Sequence, residues 1–292
     1  MLRKNHRAFT LVEMLLTLGL VGVVGLTLLI FTFAASRFAA RNLATNHSHE
    51  ATRLSSQTLL KELRDSASSF RLFNANGTTY TEVPAAATSE LDTLSKEYVS
   101  NRTNGVRFRQ LMGGPFTLTT STTPTANVLT FDFRTGVAST YVPIVGDKLV
   151  LPLISREYDI TAVSGSFAPS GTVTISPEIG YTLNTTSPNL ITGYFYRRVA
   201  FTVADNELRY HDNFTGANRS NYRVVRTGVT SPKPFSLLFP TPSALSTDAL
   251  QLRVSMEFTD LGYSARKFGN GTTTLYSVFP PRNQPTAITA TN

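Results

Sequence analysis

The N-terminal part of the chain contains a run of 27 residues, Phe9 to Ala35, in which Glu13 is the only charged residue. A helix of about 20 apolar residues crosses the hydrocarbon core of a bilayer, so this run predicts a membrane-spanning helix with some tilt. A secretory signal has a shorter apolar core of roughly 7 to 15 residues, followed by a cleavage site made of small residues. Here a polar, helix-compatible stretch follows directly, and we expect the span to be retained.

Basic residues predict the orientation of this span. Arg3, Lys4 and Arg7 lie immediately before it, and the positive-inside rule keeps such an end in the cytoplasm. Everything after Arg37 is then expected to be exported to the periplasm or beyond. The expected location is the inner, cytoplasmic membrane, crossed once.

Glu13 is the unusual residue of the span. A charged side chain costs roughly 2.5 to 3.5 kcal/mol at the centre of a bilayer and less toward the interface. Position alone leaves two interpretations open. The carboxylate either extends to the cytoplasmic headgroups, or it is a functional group with a specific partner.

The residues around Glu13 resemble the class III signal of type IV prepilins and type II secretion pseudopilins. The string KNHRA is followed by FTLVE and then by an unbroken apolar segment. In that family a prepilin peptidase removes a short basic leader, the new N-terminal residue is N-methylated, and the fifth mature residue is glutamate. The resemblance implies cleavage between Ala8 and Phe9 and methylation of Phe9. Ala8 stands where the family usually has glycine, but it is also small.

The same resemblance gives Glu13 an implied role in subunit assembly. The α-amino group of Phe9 in a neighbouring subunit would be its partner, because an acid and an amine attract strongly where the dielectric constant is low. The pair would set the vertical stagger between packed helices.

A second, weaker resemblance lies nearer the C-terminus. The segments YRRVAFTVADNELRYH, residues 196–211, and VFPPRN, ending at Asn283, are similar to the paired strands and closing strand of minor pilins and pseudopilins of the PilW or GspJ type. This likeness implies a minor or tip-associated subunit. The chain has no cysteine, whereas many major pilins close their C-terminal region with a disulfide.

Beyond the span, the pattern changes from helical to extended. Leu59, Leu63, Ala67 and Phe70 recur at spacings of three and four residues, which predicts an amphipathic continuation of the helix. After Asn74, short alternating runs predict antiparallel strands. The expected fold class is α+β, with a long N-terminal helix packed on a mainly antiparallel β-sheet head, as in pilins.

The expected elements and segments follow from these patterns. Strands are predicted at 106–111, 116–120, 128–133 and 250–258, a hairpin at 196–211 that turns at Asp205 and Asn206, and loops at 81–100 and 227–247. The expected division of the chain is a leader at 1–8, a membrane helix at 9–36, its amphipathic continuation at 37–72, a β-rich head at 73–283 with a possible inserted subdomain at 146–180, and a flexible tail at 284–292.

The sequence contains none of the common catalytic motifs. It has no G-x-S-x-G elbow, P-loop or dinucleotide fingerprint. His47 and His49 are two residues apart, whereas two metal ligands on one helix face are four apart. We expect no enzymatic activity, no metal and no cofactor.

Basic and aromatic residues gather between residues 194 and 226. If they share a face, they would bind DNA through phosphate contacts and stacking. The alternative is a sheet surface whose arginines pair with acids, and the mild net charge favours it: +8, or +5 after loss of the three basic leader residues. The candidate contacts are Arg197, Arg198, Arg209, Tyr210 and Arg223.

The sequence as a whole predicts a minor pilin or pseudopilin that initiates or caps a type IV pilus or a type II secretion pseudopilus. Its expected partners are other pilins, the prepilin peptidase that also methylates it, and an inner-membrane platform protein. The alternative is a membrane-anchored binding module of a DNA-uptake or adhesion apparatus.

Overall fold

The computed structural model describes residues 10–64, 66, 70–76, 79–133, 141–167, 169–185, 191–214, 221–241, 251–259 and 272–279. Contacts divide the chain into two compact units. Residues as far as Glu50 lie in the first, together with Thr259–Thr273. The second comprises Ala51–Phe258 and the residues from Thr274 onward, and we call it the head.

A single helix, α1, runs from Leu11 to Arg64. It ends earlier than the predicted boundary at residue 72, and Arg71–Asn76 forms the first strand of the head. The sequence DSASS at 65–69 disfavours continuation of the helix, because Asp and Ser have lower helix propensity than Ala or Leu. Phe70 and Leu72 are nevertheless buried in the head core. Phe70 lies just before the first strand and Leu72 lies within it, so neither is on a face of the helix.

The head contains fifteen described strands in two sheets, and each strand pair whose register is described is antiparallel. This agrees with the α+β prediction. The strands are β1 Arg71–Asn76, β2 Thr79–Val83, β3 Ala87–Leu91, β4 Tyr98–Ser100, β5 Gly105–Leu118, β6 Val128–Asp132, β7 Lys148–Leu151, β8 Arg156–Ser164, β9 Ser170–Ser176, β10 Thr192–Ala204, β11 Glu207–His211, β12 Arg223–Thr227, β13 Phe235–Phe239, β14 Gln251–Thr259 and β15 Thr272–Phe279.

The larger sheet has ten strands in the order β12-β11-β10-β7-β8-β9-β6-β5-β1-β2, with a further pairing of β10 with β5. That pairing closes six strands, β5, β6, β9, β8, β7 and β10, into a ring. The ring has no free edge, since each strand pairs on both sides. The smaller sheet has the order β15-β14-β13-β4-β3.

The two halves of β5 and β10 contribute to separate hydrophobic cores. Phe116 and Phe195 belong to the core inside the ring, which is rich in aromatic side chains. Phe108 and Phe201 belong to a second core, where the larger sheet meets the smaller sheet and Leu59 of α1. We call this second part the base of the head.

Several strand predictions are confirmed. The hairpin at 196–211 is β10 and β11, and its turn residues Asp205 and Asn206 have φ values of 52° and 61°. Asn and Asp tolerate this left-handed conformation better than most residues. The segment 146–180, named above as a possible inserted subdomain, contains β7, β8 and β9. These strands are hydrogen-bonded into the ring rather than forming a sheet of their own.

Other predictions of local structure are wrong. The separate strands expected at 106–111 and 116–120 form one strand, β5, which runs through Gly113 and Gly114. The loops expected at 81–100 and 227–247 contain strands β3, β4 and β13. The strand β13 is fully buried, so its Leu-rich run lacks the alternation by which a half-buried strand is recognised.

Candidate assembly and binding sites

The N-terminus of α1 is closed by a reciprocal cap between Thr10 and Glu13. The Thr10 backbone N–H donates to Glu13 Oε2 at 3.0 Å, and the Glu13 N–H donates to Thr10 Oγ1 at 3.3 Å. The Thr10 hydroxyl also donates to Glu13 Oε2 at 3.1 Å. This is a capping box, in which residues at the N-cap and N3 positions satisfy each other's backbone donors. Glu13 therefore has partners within its own chain.

The segment after the cap has the character of a membrane span. The helix contains an 18-residue window with a mean hydropathy of 2.5, and none of that window is buried. Its hydroxyl groups are satisfied internally: Thr17 donates to the carbonyl of Glu13 at 2.8 Å, and Thr27 donates to that of Val23 at 2.9 Å. Lipid offers no alternative partners for such groups, so internal bonds suit a bilayer.

The predicted processing site, Ala8 and Phe9, lies outside the described residues. It falls within a sequence match, however. The family model described as the prokaryotic N-terminal methylation motif matches residues 3–29. The N-terminal segment therefore has the signal of a type IV pilin-like protein. No curated protein and no solved structure matches the chain.

The matched segment contains Glu13 and the capping box that it forms with Thr10. The motif also agrees with membrane anchoring at the N-terminus. It implies processing by a prepilin peptidase and assembly with other pilins. The family of this motif is structural rather than enzymatic. The match ends at residue 29, so it does not extend to the head.

In the head, the five basic and aromatic candidates divide between two faces of the β10–β11 hairpin. Alternate residues of a strand face opposite sides, so Arg197 lies on the face that carries the core and Arg198 on the outer face. Tyr210 is opposite the buried Phe201 in the register of the hairpin. The core face carries Arg197, Tyr210 and Arg223, and the outer face carries Arg198 and Arg209.

Arg197 makes a buried ion pair with Asp147. Two hydrogen bonds join them, from Nε to Oδ1 at 2.8 Å and from Nη2 to Oδ2 at 3.0 Å, and Asp147 has no exposed surface. Burial lowers the pKa of the Arg197 guanidinium, but the bonds and charge of Asp147 outweigh it and raise the pKa. The Tyr141 hydroxyl donates to Asp147 as well, and burial together with this carboxylate raises the pKa of Tyr141.

A cavity of about 500 Å³ opens beside this pair. Arg223 bonds to Glu62 of α1 at 2.9 Å and covers the Tyr210 ring, with its guanidinium carbon 4.7 Å from the ring centre. The Tyr210 hydroxyl donates to Gln110 at 3.3 Å. The cavity is lined by Lys61, Glu62, Gln110, Met112, Arg197, Tyr210, Asp212, Asn221, Tyr222 and Arg223.

These contacts favour the structural interpretation of the core-facing candidates. Arg197 and Arg223 each have a carboxylate partner, and on the outer face Arg209 bonds to Asp205 at 2.6 Å and Glu207 at 2.9 Å. A DNA-binding surface needs cations that are available to phosphates.

The described residues contain no group of three or more His, Cys, Asp or Glu arranged to hold a metal ion.

Sequence reasoning missed three residues of these sites. Thr10 was recognisable, because the T-x-x-E pattern of residues 10–13 is the sequence signature of a capping box. Asp147 and Glu62 carry no local signal. Their partners, Arg197 and Arg223, are 50 and 161 residues away in the chain.

Proposed function

We propose that this chain is a minor pilin or pseudopilin, of PilW or GspJ type, that initiates or caps a type IV pilus or a type II secretion pseudopilus. The observation that carries the proposal is the methylation motif at residues 3–29, with a complete FTLVE string and a long apolar helix. The chain is anchored once in the inner membrane, with its N-terminus in the cytoplasm and its head in the periplasm. The chain itself performs no catalysis.

The size and construction of the head support a minor rather than a major subunit. Six strands close into a ring with its own core, in addition to the base. A subunit repeated along a thin filament has little room for such an addition, whereas a subunit at the end of a filament has free space around it. The absence of cysteine agrees with this choice.

Processing provides the first test of the proposal. The mature protein, purified from cells that have an active prepilin peptidase, should lose residues 1–8 and gain one methyl group on Phe9. Intact-mass analysis measures both changes, and cells without the peptidase provide the control. The Ala8→Gly variant, which restores the residue usual in the family, should be cleaved at least as fast. Retention of the leader in peptidase-positive cells would contradict the proposal.

Filament membership provides the second test. The processed protein should co-purify with sheared filaments or overproduced pseudopili in an amount well below that of the major subunit. Deletion of its gene should reduce the number of filaments if it initiates them. Normal filament number, together with no trace of the protein in sheared filaments, would exclude the structural role.

A further inference from the structure

The outer face of the larger sheet carries four arginines on three neighbouring strands. Arg71 on β1 lies opposite Arg107 on β5, and Arg109 on β5 lies opposite Arg198 on β10. Arg107 and Arg109 are two residues apart in one strand, so all four share one face. Like charges directly opposite each other destabilise a sheet. We call these four residues the arginine face.

Carboxylates of the chain neutralise this face only in part. Glu82 is shared between Arg71 and Arg107, and Glu157 is shared between Arg109 and Lys148. Among the described residues, no carboxylate lies within ion-pair distance of Arg198. Among the described residues, the arginine face and Lys148 together contribute five cations, and the printed ion pairs place three carboxylates beside them, those of Glu82, Glu157 and Asp159.

The topology explains why no described carboxylate lies beside Arg198. Strand β10 pairs with β7 as far as Tyr196 and with β11 only from Ala200 onward. Arg198 lies between these two pairings, where no described strand stands on that side to supply a cross-strand carboxylate. Its backbone carbonyl accepts a hydrogen bond from Phe214 at 2.8 Å instead.

Arg109 shows the effect of this crowding. Burial lowers the pKa of its guanidinium, and the charges of Arg198, Arg71 and Arg107 lower it further, against the opposing effect of Glu157. Only a quarter of its side chain is exposed, at 25%. Such an arrangement gains stability when an external anion approaches, because the anion offsets repulsion that the chain leaves in place.

We propose that the arginine face binds carboxylate side chains on the surface of a neighbouring protein subunit. Guanidinium groups can match carboxylates with two parallel hydrogen bonds, and on this face Arg107 and Arg109 already pair with the carboxylates of Glu82 and Glu157. The excess of two positive charges suits a patch with a few acids, whereas a nucleic acid backbone requires more uncompensated cations. The inference rests on the proposed function, in which the chain assembles with other proteins.

The first experiment measures binding by the full-length protein in non-ionic detergent at low ionic strength. The probes are poly-L-glutamate and a single-stranded oligonucleotide of equal charge. The wild type should bind poly-L-glutamate more tightly, and Arg198→Glu should weaken that binding about fivefold or more. Arg102→Glu is the matched control, because Arg102 is an exposed arginine that pairs with Glu90 elsewhere in the head. It should leave the affinity unchanged.

The outcomes of this experiment are distinct. Equal or tighter binding of the oligonucleotide overturns the choice of a protein partner in favour of nucleic acid. No binding of either probe, or an equal loss of binding in both variants, overturns the proposal. These readouts do not depend on leader cleavage or filament membership, so a failure here is separable from a failure of the proposed function.

Thermal stability provides the second measurement. Arg198→Glu places an acid opposite Arg109, so its unfolding midpoint should equal or exceed that of the wild type while binding falls. In cells, the variant should be processed normally but recovered about fivefold less in sheared filaments. A lower midpoint would show that Arg198 has a structural role and would overturn the proposal.

Discussion

At the scale of single residues, Glu13 has two separable properties. Its carboxylate completes the capping box with Thr10, and in the proposed function its charge pairs with the amine that processing would create on an adjacent subunit. Both roles are consistent with the methylation motif that surrounds it. Glutamine serves at the N3 position of a capping box as well as glutamate does, so substitution distinguishes the cap from the charge.

We predict that Glu13→Gln and Glu13→Ala both insert into the membrane and are both cleaved, but that neither enters filaments efficiently. Thr10→Ala, which removes the cap and keeps the charge, should lose about 1 kcal/mol of helix stability and still be incorporated. The measurement is co-purification with sheared filaments at matched membrane levels. If Glu13→Gln is incorporated like the wild type, the cap alone explains the carboxylate.

A second residue-scale prediction concerns Asp92. Its Oδ2 accepts hydrogen bonds from the Ser95 N–H at 2.8 Å and the Tyr276 hydroxyl at 2.7 Å. Burial raises the pKa of Asp92, but these bonds and the charge of Arg253 outweigh it and lower the pKa from 3.8 to about 2. A depressed pKa stabilises the fold above the unfolded value, and this stabilisation is lost as the pH falls from about 4 to 2.

The contribution of Asp92 should be about 2 kcal/mol near neutral pH. Asp92→Asn should therefore lower the midpoint of thermal unfolding at pH 7, and the difference from the wild type should shrink below pH 4. Tyrosine fluorescence can follow unfolding, because the chain has no tryptophan. Glu178→Gln, at an exposed position, should leave the acid transition unchanged. If the difference in unfolding midpoint between Asp92→Asn and the wild type stays constant across this pH range, the stabilisation does not come from the ionised carboxylate of Asp92.

At the scale of elements, the Arg197–Asp147 pair joins β10 to the segment that precedes β7. It lies where the pairing of β10 passes from β7 to β11, between the ring and the base. Asn213 adds a hydrogen bond across the same junction, to the carbonyl of Val145 at 3.3 Å. A buried ion pair contributes little relative to apolar residues, but removal of one partner leaves a buried charge.

We predict that Asp147→Asn lowers the free energy of unfolding by about 3 kcal/mol. The combination Asp147→Leu, Arg197→Met and Tyr141→Phe should recover most of that loss, because the guanidinium and the hydroxyl that bond to Asp147 are removed together with the carboxylate. Asp212→Asn, whose side chain is 67% exposed and 3.9 Å from Arg197, should cost less than about 1 kcal/mol. Denaturant titration measures all three. If the triple variant has as low a free energy of unfolding as Asp147→Asn, the ion pair has a role beyond charge compensation.

At the scale of the whole head, the ring and the base have separate cores that share β5 and β10. Leu111 and Tyr196 are cross-strand partners at the edge of the ring, where the pairing of β10 with β7 ends. The strands of the base therefore end side by side. The base keeps Phe108, Val199 and Phe201 as its own core residues. The ring is therefore an addition on two long strands, and its core residues are separate from those of the base.

We predict that the base folds without the ring. Replacing residues 112–195 with Asn-Gly should join Leu111 to Tyr196 by a two-residue turn, with Arg197→Gln included because Asp147 is removed. The variant should stay in the membrane fraction, undergo processing and unfold cooperatively. Removal of residues 105–204 is the control, since it takes the core residues of the base as well and should abolish folding. Non-cooperative unfolding of the first variant would show that the two cores depend on each other.

The sequence by itself determined the features that depend on neighbouring residues. The apolar run has the length of a bilayer, FTLVE lies at its start, and Asp205-Asn206 forms a turn because both residues accept left-handed backbone. Only the tertiary structure decided that β5 and β10 close a ring, that Arg197 faces Asp147, and that Arg198 stands at a gap between two strand pairings. Alternation along a strand shows that Arg197 and Arg198 face opposite sides, but what covers each side depends on residues far away in the chain.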